Sequence, residues 1–433
     1  MSPHALPGFR DFYPAEFAER AYIFDTWREV ARRYAFVEYD GPPLEPLELY
    51  TKKSGDEIVG QLYNFEDKGG RAVALRPEMT PTLARLVGDR ANALRKPVRW
   101  FSIPQLFRYE RQQKGRLREH FQLNLDIIGE ADVTADAELL AAAIDIMREF
   151  GLAPSDVRAR VSDRQLLRGL LRIAGVDDDR LPAVFAVVDK LEREERTVLE
   201  GKLRDSGFDE LLVARIFEVL KARDFESLRE QFADAPELRD DFARLARYFE
   251  HLDALGVREW VSFDLSIVRG LAYYTGIVFE LFDARGSLRA IAGGGRYDNL
   301  LKALSGTDMP ALGFGMGDVV LGLLLRERER LPAIADTLDY WVAAGEHAPL
   351  TTVMRVATEL RRRALRVEYP LRPQKLAKQL KAASAAGATH ALIVENDQSA
   401  QVRRLSDGAE CALDIASVLR GAALPELPAA ALV

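Results

Sequence analysis

The sequence is poor in cysteine and has no long apolar run. Cys411 is the single cysteine in 433 residues, so no internal disulfide can form and a reducing compartment is expected. No cluster of His and Cys has the spacing of a zinc site, and no metal centre built from side chains is expected. No stretch approaches the roughly 18 apolar residues of a membrane-spanning helix. The opening MSPHALPGFRDFYPAEF carries charges where a signal peptide needs an apolar core. The expected location is the cytoplasm, with no membrane partner. A P-loop, a GxGxxG dinucleotide fingerprint and a nucleophilic Ser or Cys arrangement are also missing, as are internal repeats and low-complexity segments other than the Ala-rich tail.

What remains is a foldable, charged chain. About half of it, 48%, is apolar and 29% is charged, enough for sizeable cores, and 433 residues suit roughly two to four domains. Sixty Lys and Arg against 67 Asp and Glu leave a formal charge of −7, which excludes a generic polyanion binder, DNA included. The basic residues are nonetheless grouped. Nine bases and one acid, Glu110, lie between Arg90 and Arg118; nine bases and two acids, Glu359 and Glu368, lie between Arg355 and Lys381. Either patch alone reads equally well as a solvated helix face, but two of them, far apart in sequence, bring a large anionic partner into consideration.

Hydrophobic spacing divides the chain. Phe17, Tyr22, Phe24, Trp27, Val30 and Ala31 predict an amphipathic helix from about Pro14 to Tyr34. Runs at Val73–Leu75, Val98–Ile103 and Gln122–Ile128, bounded by Gly, Pro or charge, predict an antiparallel sheet, followed by a helix from Thr134 to Phe150. From Asp163 to about Leu255 apolar residues recur at three- and four-residue intervals, a helical insertion. Strands at Trp260–Val268 and Ile277–Phe282, the run Gly293–Gly294–Gly295 and a helix from Val319 are expected to complete the first sheet. After a linker at Leu331–Thr337, strand and helix alternate through Val394, predicting a small α/β domain with a mostly parallel sheet.

Five segments carry chemistry. LRPEMT sets Arg76, Glu78 and Thr80 just after a strand, where acid and hydroxyl can receive an ammonium group; the same residues also suit a helix start. In FRYERQQKGRLREHFQLNLDIIG, Arg108, Arg111, Lys114, Arg116 and Arg118 surround a turn, and the return strand carries Gln122, Asn124 and Asp126 on one face. Such a hairpin suits a triphosphate beside a small zwitterion. IVRGLAYYTGIVFE places Arg269 at the end of an apolar strand, where its desolvation must be met by an anion, either a ligand or a structural partner. AGGGRYDNL and ALGFGMGDVV supply glycines that let backbone approach a ligand, the second at a helix start whose dipole favours phosphate.

Together these segments resemble histidyl-tRNA synthetases, the class II aminoacyl-tRNA synthetases specific for histidine. The similarity runs through nearly the whole chain: PGFRDFYP, PPLEPLELY around Pro42, LRPEMT, FRYERQQKGRLREHFQ, RGLAYYTG, GGGRYDNL and the C-terminal module, in that order. It implies an α+β catalytic domain, with an antiparallel sheet of six or seven strands flanked by helices, in two parts (1–160 and 258–330). Around and after these it implies a helical insertion (161–257) and a C-terminal α/β anticodon-binding domain (338–425). The implied activity is ATP-dependent ligation of L-histidine to tRNA(His) through histidyl-adenylate, with Mg²⁺, in a homodimer whose interface contains Pro42.

By the same resemblance Glu78, Thr80 and Gln122 would hold the histidine α-amino group, and Asp126 and Tyr274, with Tyr273 beside it, would bracket the imidazole. Arg108 and Arg269 would be the catalytic arginines at the α-phosphate and carboxylate. Arg116 and Arg118 would reach the outer phosphates, with Glu110, His120 and Gly317 completing the ATP site. Four positions depart from the family pattern. Val320 stands where the third motif has an arginine for the γ-phosphate, with Arg116, Arg118 and Arg76 the candidate substitutes. Ala272 replaces an Asp, His120 an adenine-stacking Phe, and Asp126 the more common Glu. The alternatives are a non-charging paralogue, such as the histidine-sensing regulatory subunit of ATP phosphoribosyltransferase, and an RNA-binding protein without catalysis.

Overall fold

The structure, a computed structural model, describes residues 5–51, 60–111, 113–191, 194–268, 273–286, 288–332, 337–424 and 427. The chain divides into two compact units, Met1–Pro332 and Ala333–Val433.

The first unit is built on a nine-stranded sheet. In chain order its strands are β1 (Val37–Glu38), β2 (Val98–Ser102), β3 (Gln105–Phe107), β4 (Glu119–Ile128), β5 (Val157–Asp163), β6 (Val261–Phe263), β7 (Ile277–Asp283), β8 (Ala292–Arg296) and β9 (Ala311–Gly317). They lie in the order β1-β2-β4-β9-β8-β7-β5-β6, with β3 also on β4. All pairings are antiparallel except at the two edges, where β1 runs parallel to β2 and β6 parallel to β5. The antiparallel core was expected; of the two parallel edges, β1, two residues long, is too short to show a period in sequence, and the strand expected over Trp260–Val268 is confined to Val261–Phe263. The run Val73–Leu75 does not join this sheet. Ala72–Leu75 pairs instead with Leu44–Pro46 and Asn64–Glu66 in a separate three-stranded sheet.

Alternation along β4 separates two faces. Leu123, Leu125 and Ile127, with Leu312, Phe314 and Met316 of β9 and Phe279 and Leu281 of β7, belong to the main core. They pack under α1 (Pro14–Arg33), α2 (Val133–Glu149) and α3 (Asp318–Glu327). The opposite face carries the polar residues of β4. Its far end, at Val98 and Ile128, is closed by a smaller cluster with Leu83, Ala84 and Val87 of the helix Thr80–Arg90 and Leu300 and Leu301.

Every described element between 164 and 254 is a helix, as the spacing predicts, and the starts and stops have local causes. Asp163 accepts from the backbone N–H groups of Gln165 and Leu166 to open Arg164–Ala174, and Gly175, at φ +108°, closes it. Arg244 then ties the last helix, Arg239–Ala254, to Asp163 at 2.8 Å. These helices share one continuous apolar core with the sheet.

The second unit has a five-stranded sheet in the order Val367–Glu368, Leu338–Ala344, Ala388–Val394, Ser399–Arg404, Glu410–Asp414. The first three strands are parallel, as expected. The last two, absent from the sequence reading although Ala400 and Val402 alternate with polar neighbours, are antiparallel and make the sheet mixed. Helices Leu350–Arg362 and Leu376–Ala385 flank it, and buried Gln379 bonds both backbone groups of Ala344 at 2.8 and 2.9 Å.

Candidate active site

On the polar face, β4 sets His120, Gln122, Asn124 and Asp126 in one row, and the β9 residues opposite the last three are Gly317, Gly315 and Gly313. Gly293 and Gly295 of β8 continue this face beside Gly315 and Gly313. The glycines make the room. A Cβ on Gly313 would stand 2.0 Å from Asp126 Oδ1, and one on Gly315 would stand 2.7 Å from Gln122 Cδ. From His120 to Asp126 the row spans about 20 Å at roughly 3.3 Å per residue, long enough for an amino acid end to end with a nucleotide.

At the Asp126 end four side chains form a linked group. Tyr297 donates its hydroxyl to Asp126, the Tyr297 ring meets Tyr273 edge-on at 5.8 Å, and the Tyr273 hydroxyl donates to Glu78 at 3.4 Å. Tyr274 packs 5.1 Å from Tyr273, centroid to centroid. Glu78 and Asp126 are both buried, and burial pushes the Asp126 carboxyl up to about 7 against the hydrogen bond from Tyr297. Thr80 is the first residue of the helix Thr80–Arg90, two positions after Glu78. Arg269 and Ala272 lie outside the described residues.

At the other end is a cleft of about 210 Å³. Its hairpin wall is Arg108, Glu110, Gly115, Arg116 and Leu117; its floor includes His120, Gln122, Gly293, Gly315 and Gly317; its far wall is Arg289–Ala292 with Val319 and Val320. Arg108 Nε donates to the Pro77 carbonyl at 2.9 Å, tying the cleft to the segment that carries Glu78. Arg116 pairs with buried Glu110. The His120 imidazole is held down to about 3 by burial and by the positive charge of Arg108, Arg10 and Arg116, so it is neutral at ordinary pH. The PGFRDF segment fixes the floor: Arg10 bridges Glu119 at 2.6 Å and Asp318 at 2.9 Å, and Asp318 also accepts from the Phe121 N–H at 2.9 Å.

Two residues expected at the nucleotide face elsewhere. Arg118 stacks on the Tyr109 ring at 4.2 Å and points back to the Glu110 and Pro7 carbonyls, and it is not part of the cleft wall. Arg76 is buried, with its guanidinium held by Asp40 at 2.7 Å and by the Gly41 and Gln105 carbonyls, so it is not a substitute phosphate ligand. Pro42 is exposed beside the three-stranded sheet. Tyr297 and Arg289 were not singled out from sequence. Tyr297 lies within GGGRYDNL, whose glycines drew attention to backbone, and Arg289 precedes that run without a motif of its own.

Residues 8–317 match the family model for histidyl-tRNA synthetase. The chain belongs to this family. It is 45% identical to the histidine–tRNA ligase of Opitutus terrae over 92% of each chain. It is 41% identical to the chloroplastic/mitochondrial histidine–tRNA ligase of Arabidopsis thaliana, over 93% of this chain and 83% of that one. The Haloarcula marismortui histidine–tRNA ligase is 38% identical over 95% and 96%. Among solved structures, the histidyl-tRNA synthetase from Nostoc sp. PCC 7120 shares the fold at a TM-score of 0.78, with 23% identity over 97% of this chain and 98% of that one. The ATP phosphoribosyltransferase regulatory subunit/histidyl-tRNA synthetase from Bacillus halodurans C shares it at 0.73 with 23% identity, over 92% and 98%.

Three departures from the histidyl-tRNA synthetase pattern lie on the site face. The short Asp126 carboxylate is met by Tyr297 from across the sheet. His120 lines the cleft with its imidazole kept neutral at ordinary pH. Val320 belongs to the main core as well as to the cleft wall, with 9% of its surface exposed.

Proposed function

We infer that this chain joins L-histidine to tRNA(His) with ATP as the energy source. The observation that carries the reading is the single glycine-paved strand face, with a carboxylate and tyrosine group at one end and an arginine-walled cleft at the other. Ligases at 38–45% identity over more than nine-tenths of the chain support it. They also disfavour a regulatory, non-charging role.

In this reading one carboxylate and one tyrosine hydroxyl select the imidazole, whose two nitrogens need an acceptor and a donor. Asp126 and Tyr274 take that role, and Glu78, Thr80 and Gln122 hold the α-amino group, with Tyr273 keeping Glu78 in position. A histidine carboxylate oxygen attacks the α-phosphorus of ATP, the bond to the bridging oxygen breaks, and pyrophosphate leaves with the electron pair. Arg108 and Arg269 offset the charge that develops at the α-phosphate. The 3′-terminal ribose hydroxyl of tRNA then attacks the carbonyl carbon and AMP leaves. No protein nucleophile takes part; the rate comes from positioning and charge. His120 and Gly317 form the floor for the adenine. Glu110, the carboxylate on the cleft wall, would hold a Mg²⁺ ion beside the nucleotide, and the ion would offset charge on the outer phosphates.

The remaining assignments follow the same reading. Residues 1–160 and 258–330 form the catalytic domain, 161–257 the insertion and 338–425 the anticodon-binding domain. The enzyme works in the cytoplasm as a homodimer through the surface around Pro42. Val37 on edge strand β1 and Leu44 are exposed at 61% and 38% near that residue in sequence, which favours a covering partner.

The deciding experiment is ATP–pyrophosphate exchange with the purified full chain. Exchange should appear with histidine and with no other standard amino acid; its absence at saturating ATP and histidine would overturn the reading. Arg269→Ala should slow exchange by about a hundredfold, and an unchanged rate would remove Arg269 from the catalytic set.

A further inference from the structure

The polar face of the sheet continues past β4 to the edge. Trp100 and Ser102 of β2 stand opposite Asp126 and Asn124 of β4, and Val37 of β1 stands opposite Trp100. Side chains two apart in a strand share a face. Tyr39, two residues after Val37 and bonded through its N–H to the Phe101 carbonyl at 2.9 Å, therefore extends this face beside Ser102. Its ring packs on Trp100 at 5.4 Å, centroid to centroid. In the strand order this places Tyr39 on one side of Asp126, and Tyr297, which follows β8, on the other.

Two hydroxyls on that side are unpaired. The Tyr39 ring is half-buried but its oxygen is closed off from solvent, Ser102 is wholly buried, and neither hydroxyl has a hydrogen-bond partner among the described residues. Burial and then the negative charge of Asp126 push the Tyr39 hydroxyl well above the ordinary tyrosine range, so the acid lies close enough to act on it. Among the same residues the Asp126 carboxylate takes one hydrogen bond, from Tyr297 to Oδ1, whereas an ionised carboxylate has sites for about four. A buried hydroxyl without a partner is a cost beside a neutral acid. Beside an anion it is a gain, because it solvates charge where water does not reach.

We propose that Tyr39 is a positioning residue of the histidine pocket: with Ser102 beside it, its hydroxyl donates to the Asp126 carboxylate once the acid has lost its proton, and holds that carboxylate as the acceptor for the imidazole N–H. The assignment rests on the ligase reading above and deepens it. Two tyrosine hydroxyls, Tyr297 from the β8 side and Tyr39 from the β1 side, then share the charge of the short Asp126 side chain.

Because the hydroxyl acts on the ionised acid, its effect depends on pH. The Asp126 carboxyl stands at about 7; Tyr297, Tyr273, Tyr274 and Glu78 group with it on one side, and on the other Tyr39 is flanked by Asp40, which is paired with Arg76. The test uses the full-length protein with Tyr39→Phe, which keeps the ring on Trp100, and with Ser102→Ala. KM for histidine and KM for ATP in histidine-dependent exchange are measured at about pH 6 and about pH 9. Losing a donor to the anion raises the Asp126 carboxyl by about one pH unit in Tyr39→Phe, so at pH 6 the ionised fraction falls and KM for histidine rises about tenfold. At pH 9 the acid is ionised in both proteins and KM for histidine agrees within about twofold. KM for ATP stays within about twofold at either pH, and Ser102→Ala moves KM for histidine in the same direction by a smaller factor. Titration of histidine itself is common to all the proteins and cancels in the ratios. KM for histidine unchanged in Tyr39→Phe at pH 6, or raised by the same factor at both pH values, would overturn the assignment. A wild-type protein with no histidine-dependent exchange would instead overturn the ligase reading.

Discussion

Asp126 and His120 stand on one strand face with opposite titration behaviour, and each leaves a separate mark on stability. Burial holds the Asp126 carboxyl at about 7, above its ordinary value, so the native state keeps a proton that the unfolded chain releases and stability falls as pH rises from about 4 to 7. Asp126→Asn removes that fall. It should gain stability relative to wild type between pH 5 and 7, followed by urea midpoints, while histidine-dependent exchange is severely weakened. His120 behaves in reverse. Held at about 3, it stays neutral while an unfolded histidine takes up a proton below about 6.5, so the native state loses stability as pH falls. His120→Phe should therefore gain about 1–2 kcal/mol over wild type between pH 7 and pH 5, read from the same midpoints. A difference between the two proteins that does not change with pH would show that the ring is solvated.

Strand β9 presents glycines to both ends of the site face. Gly313 and Gly317 lie on the same face four residues apart, but a side chain at each meets different surroundings. At Gly313 a methyl would strike Asp126 and, at 2.8 Å, the Leu125 carbonyl; at Gly317 it would meet nothing within 4 Å and would project into the cleft. Gly313→Ala should raise KM for histidine on the order of 10- to 100-fold by displacing the carboxylate, whereas Gly317→Ala should keep its thermal stability and raise KM for ATP instead. Exchange kinetics with each substrate varied in turn will separate them, and identical effects on both substrates would mean that the strand face is not divided as described.

At the scale of the whole molecule the chain is two compact units joined between Pro332 and Ala333. Each has its own apolar core, so a truncation after Pro332 should fold, retain histidine-dependent exchange and lose most tRNA charging. The cations of the second unit are not equivalent. Arg361 and Arg363 donate to carbonyls of Val367, Val418 and Ala422, whereas Lys375, Lys378 and Lys381 are exposed. Changing the three lysines together to Gln should weaken charging and flatten its dependence on salt, and leave exchange as it was. A charging rate equally sensitive to salt before and after would assign the phosphate contacts elsewhere.

The amphipathic period of Pro14–Arg33, the helical run from 164 to 254, the charged hairpin and the glycine runs were all legible in sequence, because each is written in spacing within a single segment. The motifs also carried the family and most residues of the site face. Tertiary structure decided what depends on segments far apart in the chain. Only sheet register shows that Gly313 is cut away for Asp126 and that Tyr297, 171 residues on, donates to it. Only packing shows that Arg76 and Arg118 are spent on the protein's own groups. A residue's charge is local information, but which group neutralises it is set by the fold, since a guanidinium is satisfied by whatever carboxylate, carbonyl or phosphate the surrounding elements bring within reach.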